Sequence, residues 1–267
     1  MNASEFLFHY SSFSPWLVAV PLNTVLLAIA YAIPKKLLTP AGMVHAWILG
    51  IAVWGILDWR GYAVVMFYFL VGSAVTRVGM AQKEAAGIAE KRSGARGPEN
   101  VWGSALTGIL CASGVLALRL LAPSAQGAIA LLLLAYVASF STKLSDTVAS
   151  EVGKVYGRRT FLITTLKPVA PGTEGAVSLE GTLAGMGGSI AIAVLGWAVN
   201  LIDGTGVLFC VIAAFIATNA ESAIGATVQG KVDWMTNEVV NGINTAIGAS
   251  SAIALAIAWQ SLRPLLS

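Results

Sequence analysis

The sequence predicts an all-α fold: a polytopic transmembrane helical bundle of about eight spans, formed by a single domain over residues 1–267. Composition is the first indication, because 57% of the residues are hydrophobic and 11% are charged, whereas soluble domains carry roughly 25% charged residues. The mean hydropathy is +0.77. Apolar runs long enough to cross a hydrocarbon core of about 30 Å recur between polar stretches. Their continuous Ala, Leu, Ile and Val content argues against a β-barrel, whose strands alternate apolar and polar residues.

The predicted spans, in chain order, are residues 16–33, 42–57, 62–78, 101–121, 127–144, 182–202, 206–225 and 239–260. The N-terminal residues lack the basic region and cleavage site of a secretory signal, so the first run is expected to stay in the mature protein. The second and third runs are short and flank residues 58–61, DWRG. They form either two tilted spans or a re-entrant pair, which leaves counts of seven or nine as alternatives.

The basic residues indicate which side of the membrane is cytoplasmic. With eight spans, thirteen of the sixteen Lys and Arg residues fall on one side, and Arg60, Arg119 and Arg263 fall on the other. Basic residues concentrate in cytoplasmic loops, so we expect the richer side to be cytoplasmic. Ten of the thirteen acids share that side. Such a mixture suits Mg²⁺ held together with phosphates, although solvated loops are the preferred interpretation for Glu84, Glu90, Lys91 and Arg92.

The first candidate site residues follow the fifth span. Asp146 and Glu151 stand at a depth where ionisable groups are costly and usually functional. They are five residues apart, about 140° around a helix, so a straight helix does not aim both carboxylates at one ligand. Either the helix breaks near Gly153 or each acid faces a different neighbour. The alternative is a pair of interfacial acids neutralised by three basic residues, Lys143, Lys154 and Arg158.

Residues 167–189 have the features of a phosphate-binding loop. Pro168 and Pro171 exclude a continuous helix, and glycines in the segment permit close approach of backbone amides to an anion. The next helix is predicted to begin near Gly181 or Thr182, where its N-terminal amides favour phosphate. The order of a Walker loop is absent. The candidate residues of this segment are Lys167, Gly172, Thr173, Glu174, Gly175, Ser178 and Glu180.

Two further candidates lie in the last two spans. Glu221 is a carboxylate within an otherwise apolar run, and an uncompensated charge there is expensive, so it is predicted to be a ligand or a counter-charge. Asn237, Asn241 and Asn244 fall at helical spacing in the eighth segment. Asn241 is the candidate for binding nucleotide or phosphate. Helix packing is the alternative for the small and amide residues of both spans.

Four blocks of the chain resemble the signature blocks of the integral-membrane family that includes the phytyl-phosphate kinases of plants and cyanobacteria. They are STKLSDTVASEVGK, LKPVAPGTEGAVSLEGTLAG, ESAIGATVQ and VNGINTAIGA, and two earlier blocks, KKLLTPAGMVHAWILG and RGPENVWGSALTG, are also similar. The resemblance implies a CTP-dependent kinase that converts phytyl phosphate, or a similar prenyl monophosphate, to the diphosphate for tocopherol and phylloquinone synthesis. The family is distantly similar to dolichol kinases and phosphatidate cytidylyltransferases.

The residues and the resemblance together give a site hypothesis on the cytoplasmic side of a cell or thylakoid membrane. Asp146, Glu151 and Glu221 hold Mg²⁺ on the CTP phosphates, with Asp146, Glu151 and Lys167 as the catalytic residues. Lys167 and the loop 172–175 cradle the nucleotide. Lys154 and Arg158 offset the repulsion between two anionic substrates. The expected partners are the prenyl monophosphate, the nucleotide and membrane lipids, with no nucleic acid.

Two other functions fit the same residues. A cytidylyltransferase would attack the α-phosphate of CTP and release pyrophosphate rather than CDP. A transporter would use the buried acids to couple ions to solute movement, although the one-sided collection of charges and the lack of an evident internal repeat argue against it.

Overall fold

The computed structural model describes residues 14–33, 36–229 and 232–266. These residues form α1 (Pro15–Ala32), α2 (Pro40–Thr76), α3 (Met80–Ala85), α4 (Pro98–Leu121), α5 (Gln126–Tyr156), α6 (Leu179–Ala198), α7 (Gly204–Thr227) and α8 (Asn237–Leu266). A 3₁₀ turn covers Lys91–Gly94, and two short strands are β1 (Thr160–Leu162) and β2 (Ala176–Ser178). Seven of these helices, all except α3, are long and apolar enough to cross a membrane. The predicted polytopic helical bundle is confirmed.

The second and third predicted spans are the two arms of α2. The helical run is interrupted at Asp58, which has a φ of 53° and a ψ of −158°. The arms fold back on each other, because the Trp54 and Tyr62 rings lie 5.1 Å apart and the Arg77 guanidinium donates to the carbonyl of Lys36 at 2.8 Å. A straight helix of this length would separate its ends by about 55 Å. The seven long helices therefore provide eight apolar segments.

Helix α5 lies at the centre of the bundle. Every residue from Leu134 to Asp146 is buried, which is the pattern of a helix enclosed on all sides. The predicted fifth span stopped at residue 144, but the helix continues without a break to Tyr156. Of the two alternatives for Asp146 and Glu151, the structure shows the second: the helix is intact and each acid has its own partners.

The segment between α5 and α6 is a small β-hairpin. β1 and β2 are antiparallel, with Thr160 opposite Ser178 and Leu162 opposite Ala176. Ser178 then caps α6, since its hydroxyl accepts a hydrogen bond from the amide of Gly181 at 3.1 Å, which satisfies one of the free donors of the first turn. Helix α6 therefore begins at Leu179, slightly before the predicted start.

Glycines bring α6 into close contact with α5. A Cβ atom at Gly185 would lie 2.8 Å from the Ser145 carbonyl oxygen and 2.9 Å from the Ala149 Cβ. Small residues at helix interfaces let backbones approach closely, which is a main source of attraction between helices in lipid. Gly187, on another face of α6, has open space at the corresponding position.

This contact predicts different effects of the same substitution at two neighbouring positions. We expect Gly185→Ala to destabilise the protein by about 1–3 kcal/mol, because the added methyl group forces α6 away from α5. Gly187→Ala is the matched control and should leave stability unchanged or slightly raised. Thermal unfolding of the detergent-solubilised variants measures both, and equal melting temperatures would contradict the packing described here.

Candidate active site

A cavity of about 760 Å³ lies at the end of the bundle where the ends of α5, α7 and α8 meet the loop after α3 and the segment before α6. The distribution of basic residues predicts that this end faces the cytoplasm, and that orientation stays a prediction. Charged residues of both signs line the cavity. The basic ones are Lys91, Arg92, Arg96, Lys143 and Lys154, and the acidic ones are Glu90, Asp146, Glu151, Glu174, Glu221 and Glu238.

Asp146 and Lys143 form a buried ion pair one turn apart on α5. The Lys143 ammonium donates to Asp146 Oδ2 at 2.5 Å and to Asn241 Oδ1 on α8 at 2.7 Å. Both charged side chains are largely buried, yet both line the cavity. The amide of Asn241 therefore fixes the lysine, and the lysine fixes Asp146 at the cavity wall.

A second carboxylate lies beside Asp146. Glu221 on α7 lines the same cavity and lies close enough to Asp146, Lys143 and Glu174 to interact with their charges. Mg²⁺ usually takes one or two carboxylates from a protein when phosphate oxygens complete its coordination. The neighbouring carboxylates of Asp146 and Glu221 match that number. Across the described parts of the chain, no three His, Cys, Asp or Glu residues form a group fit to hold a metal ion alone.

Glu151 is surrounded differently. Its carboxylate pairs with the ammonium of Lys83 on α3 through Oε2 and with Lys154 through Oε1, the latter at 2.9 Å. Lys83 is fully buried and also donates to the carbonyl of Thr76 at 2.7 Å. Both carboxylate oxygens thus face lysines, and Lys154 is held at the cavity wall with Glu90 3.9 Å away.

The predicted phosphate loop forms another wall of the cavity. Gly172, Thr173, Glu174, Gly175 and Ser178 all line it. Gly175 has a φ of +76°, and a Cβ there would lie 2.5 Å from both the Ser222 carbonyl oxygen and the Ala226 Cβ. The loop therefore packs directly on α7 at a position that only glycine occupies without strain.

Glu174 at the tip of this loop has a perturbed pKa. Partial burial raises the pKa of its carboxyl group above the ordinary value, Lys154 opposes that shift, and the negative charges of Glu90 and Asp146 add to it. Glu174 thus interacts with Asp146 and with Lys154, the lysine that pairs with Glu151.

Three other predicted site residues do not line the cavity. Lys167 and Arg158 are exposed on the β-hairpin side of the segment, and Glu180 is half-buried in the first turn of α6. Leu162 donates its amide to the Lys167 carbonyl at 3.0 Å, which fixes the backbone of Lys167 in the hairpin turn. The predicted catalytic and phosphate-binding roles of these three residues stay predictions.

Sequence reasoning missed the contribution of Arg96. Its guanidinium donates to the Tyr68 hydroxyl at 2.5 Å, and this hydroxyl in turn donates to Ser104 at 2.9 Å. Glu90, Lys91 and Arg92, which were interpreted as solvated loop residues, also line the cavity. The polar loop between α3 and α4 carries no local signal of this placement, apart from the RGPENVWG block of the resemblance.

These features define a polytopic helical membrane protein with a charged cavity at one end of its bundle. The chain belongs to the integral membrane protein family DUF92, whose model matches residues 23–249. The family membership inferred from the sequence blocks is confirmed.

Several curated proteins are similar along nearly the whole chain. An uncharacterized membrane protein of the cyanobacterium Synechocystis is 64% identical over 90% of this chain and 91% of its own length. Protein VTE6, chloroplastic, of Arabidopsis thaliana is 42% identical over 90% of this chain and 72% of its own length. A membrane protein of Methanocaldococcus jannaschii is 30% identical over 84% of this chain and 88% of its own. No solved structure matches the chain.

The buried Lys83–Glu151 pair predicts a non-additive pair of substitutions. Lys83→Met should destabilise the protein by about 3–5 kcal/mol, because it leaves the Glu151 charge buried with one lysine fewer. The double variant Lys83→Met/Glu151→Met should recover most of that loss. Arg92→Met is the control, since it breaks the exposed pair with Glu99 and should cost about 1 kcal/mol or less. Thermal unfolding of the three variants measures these effects, and a double variant no more stable than Lys83→Met alone would contradict the prediction.

Proposed function

We propose that the protein is a kinase that transfers a phosphoryl group from CTP to phytyl phosphate, or to a similar prenyl monophosphate, giving phytyl diphosphate for tocopherol and phylloquinone synthesis. The observation that carries this proposal is the pairing of Asp146 and Glu221 beside Lys143 and Lys154, in a cavity at the end of a membrane bundle. Family membership and the 42% identity to the plant protein VTE6 support a prenyl-phosphate kinase. CTP as the donor comes from the resemblance of the sequence blocks.

The proposed phosphoryl transfer does not require the protein to remove a proton from the nucleophile. The nucleophile is a phosphate oxygen of the lipid, which is already ionised at neutral pH, so no strong general base is needed. Catalysis of phosphoryl transfer depends on holding the attacking and leaving oxygens in line and on neutralising charge. A cavity with fixed lysines and carboxylates, and with no histidine among the described residues that line it, suits this reaction.

Asp146 and Glu221 are the residues that would hold Mg²⁺ together with phosphate oxygens of the nucleotide. When bound, this ion neutralises charge on the transferred phosphoryl group. Glu151 was predicted as a third ligand and a catalytic residue; with lysines on both oxygens, we assign it instead the role of holding Lys154 in place. Glu174 lies near this group and orients the loop around the nucleotide.

The cationic side chains reduce the repulsion between two anionic substrates. Lys143 and Lys154 lie on one face of the cavity, and Arg96 approaches from the loop after α3. Each of these cations has a fixed partner: Asn241 for Lys143, Glu151 for Lys154 and Tyr68 for Arg96. Their positions are set before substrate arrives, so little reorganisation is needed during the reaction. The loop from Gly172 to Gly175 lines the same space.

The products distinguish this proposal from its enzymatic rival. A kinase releases CDP and leaves the γ-phosphate on the lipid, whereas a cytidylyltransferase releases pyrophosphate and leaves a cytidine nucleotide on the lipid. Incubating the detergent-purified protein with Mg²⁺, γ-labelled CTP and phytyl phosphate decides between them. Label in phytyl diphosphate supports the kinase; labelled pyrophosphate overturns it. Uptake of solute into liposomes without nucleotide would favour a transporter.

The pairing at the cavity wall predicts that Asp146 is essential for turnover. Asp146→Asn should lower kcat at least about 10²–10³-fold, because charge stabilisation at the transferred group is lost, while the Asn side chain keeps nearly the same shape. Asp203→Asn is the control: Asp203 caps α7 at the opposite end of the bundle, and Asn caps equally well. Normal phosphoryl transfer by folded Asp146→Asn protein would refute this site.

The raised pKa of Glu174 predicts part of the pH dependence. As pH falls, Glu174 takes up a proton at a higher pH than an ordinary glutamate, and its negative charge in the nucleotide site is lost. Protonation also removes the attraction between Glu174 and Lys154, which holds the loop around the nucleotide in this proposal, so the KM for Mg²⁺–CTP should rise on the acid side of the profile. Glu174→Gln removes this titration, so the KM of the variant should change less with pH on the acid side, which steady-state kinetics across pH would measure. If the KM of the variant rises at low pH as it does in the wild type, a different group causes the rise.

A further inference from the structure

The cavity extends beyond the charged end of the bundle into its apolar part. Met186 on α6 and Phe215 on α7 both line it. Phe215 is six residues from Glu221, which places it about 9 Å further along α7 than that carboxylate. Met186 is eight residues beyond Ser178, about 12 Å along α6. One space therefore connects the carboxylates to the hydrocarbon depth of the two spans.

The lining residues of α6 and α7 form two stripes that face one gap. On α6 they include Thr182 and Met186, one turn apart, and on α7 they include Phe215, Asn219 and Ser222. These spacings place each set on one side of its helix. The gap is polar near the loop from Gly172 to Gly175 and becomes apolar at its deep end.

The deep end of the gap reaches the outer surface of the bundle. Phe215 lines the cavity, yet 47% of its surface is exposed. Leu183 and Ile190 on α6, with Ile212 and Ile216 on α7, are exposed apolar residues around it. Ile212 lies about one turn from Phe215 on α7, is exposed, and does not line the cavity. The cavity wall at Phe215 is therefore continuous with the apolar outer surface of α7, which indicates a lateral opening between the two helices.

We propose that the hydrocarbon chain of the lipid monophosphate leaves the cavity through this opening, between α6 and α7 and past Met186 and Phe215. The inference rests on the proposed function for the identity of the lipid. Its phosphate stays at the charged end, and each methylene group that remains among apolar side chains and lipid avoids contact with water. The substrate then reaches the site without leaving the bilayer, and the side chains at 186 and 215 determine which chains fit.

Tryptophan substitutions test the opening by chain length. Phe215→Trp and Met186→Trp should lower kcat/KM for a 20-carbon prenyl monophosphate by about tenfold, the scale of steric discrimination in apolar pockets. Activity on a five-carbon prenyl monophosphate should change by less than about twofold. The controls Leu106→Trp and Leu110→Trp, which add similar bulk at exposed apolar positions of α4 away from the gap, should leave both activities unchanged. Equal losses on both substrates, or equal effects in the controls, would overturn the proposal.

Photocrosslinking tests the same opening without requiring turnover. A 20-carbon prenyl monophosphate with a diazirine in the middle of its chain is photolysed with the wild-type protein, and the labelled peptides are identified by mass spectrometry. We expect label within residues 182–190 and 212–219, with loss of label when excess phytyl phosphate competes. Competable label on α1 or α4 would refute the opening, even if phosphoryl transfer occurs. Label at the expected residues without transfer would refute the kinase alone.

Discussion

The structure depends on neutralising the two carboxylates of α5 where this helix runs through the bundle. A buried charge is tolerated in a low-dielectric interior only when it is paired and hydrogen-bonded. Asp146 recruits Lys143, which in turn binds Asn241 of α8. Glu151 forms an ion pair with Lys83 of α3, and this pair attaches the short helix α3 to the end of α5. The ion pairs thereby decide which segments form the walls of the cavity.

The same pairing gives two neighbouring acids different chemistry. Lysines face both oxygens of Glu151, which leaves it suited to hold Lys154 rather than a metal ion. Asp146 has a lysine on one oxygen and a second carboxylate, Glu221, nearby. Two neighbouring carboxylates that are both ionised repel each other unless a cation binds between them. The environment of each acid, rather than its type or its distance from the other in sequence, separates a positioning role from a ligand role.

The transmembrane segments were predictable because lipid demands continuous apolar runs, and this demand is local in sequence. The turn at Asp58 was predictable for the same reason, as an interruption of such a run. The extension of α5 to Tyr156 was not, because its polar residues remain helical through ion pairs with distant segments. Lys83 on α3 and Arg96 in the loop after it were missed, because no local pattern shows that the segment between α2 and α4 folds over α5. Lys167 and Arg158 were assigned by proximity in the chain, but the β1–β2 hairpin leaves both exposed.

The proposed function requires the protein to join a polar site to the bilayer while keeping other lipids out of that site. Here α6 is fixed against α5 by glycine contacts and by the Ser178 cap. Helix α7 is fixed by the loop at Gly175, which packs on Ser222 and Ala226. The width of the gap between α6 and α7 is thus set by packed backbones at its charged end. Because close-packed helices resist small displacements, the side chains at the deep end of the gap, Met186 and Phe215, then determine which hydrocarbon chains it accepts in this proposal.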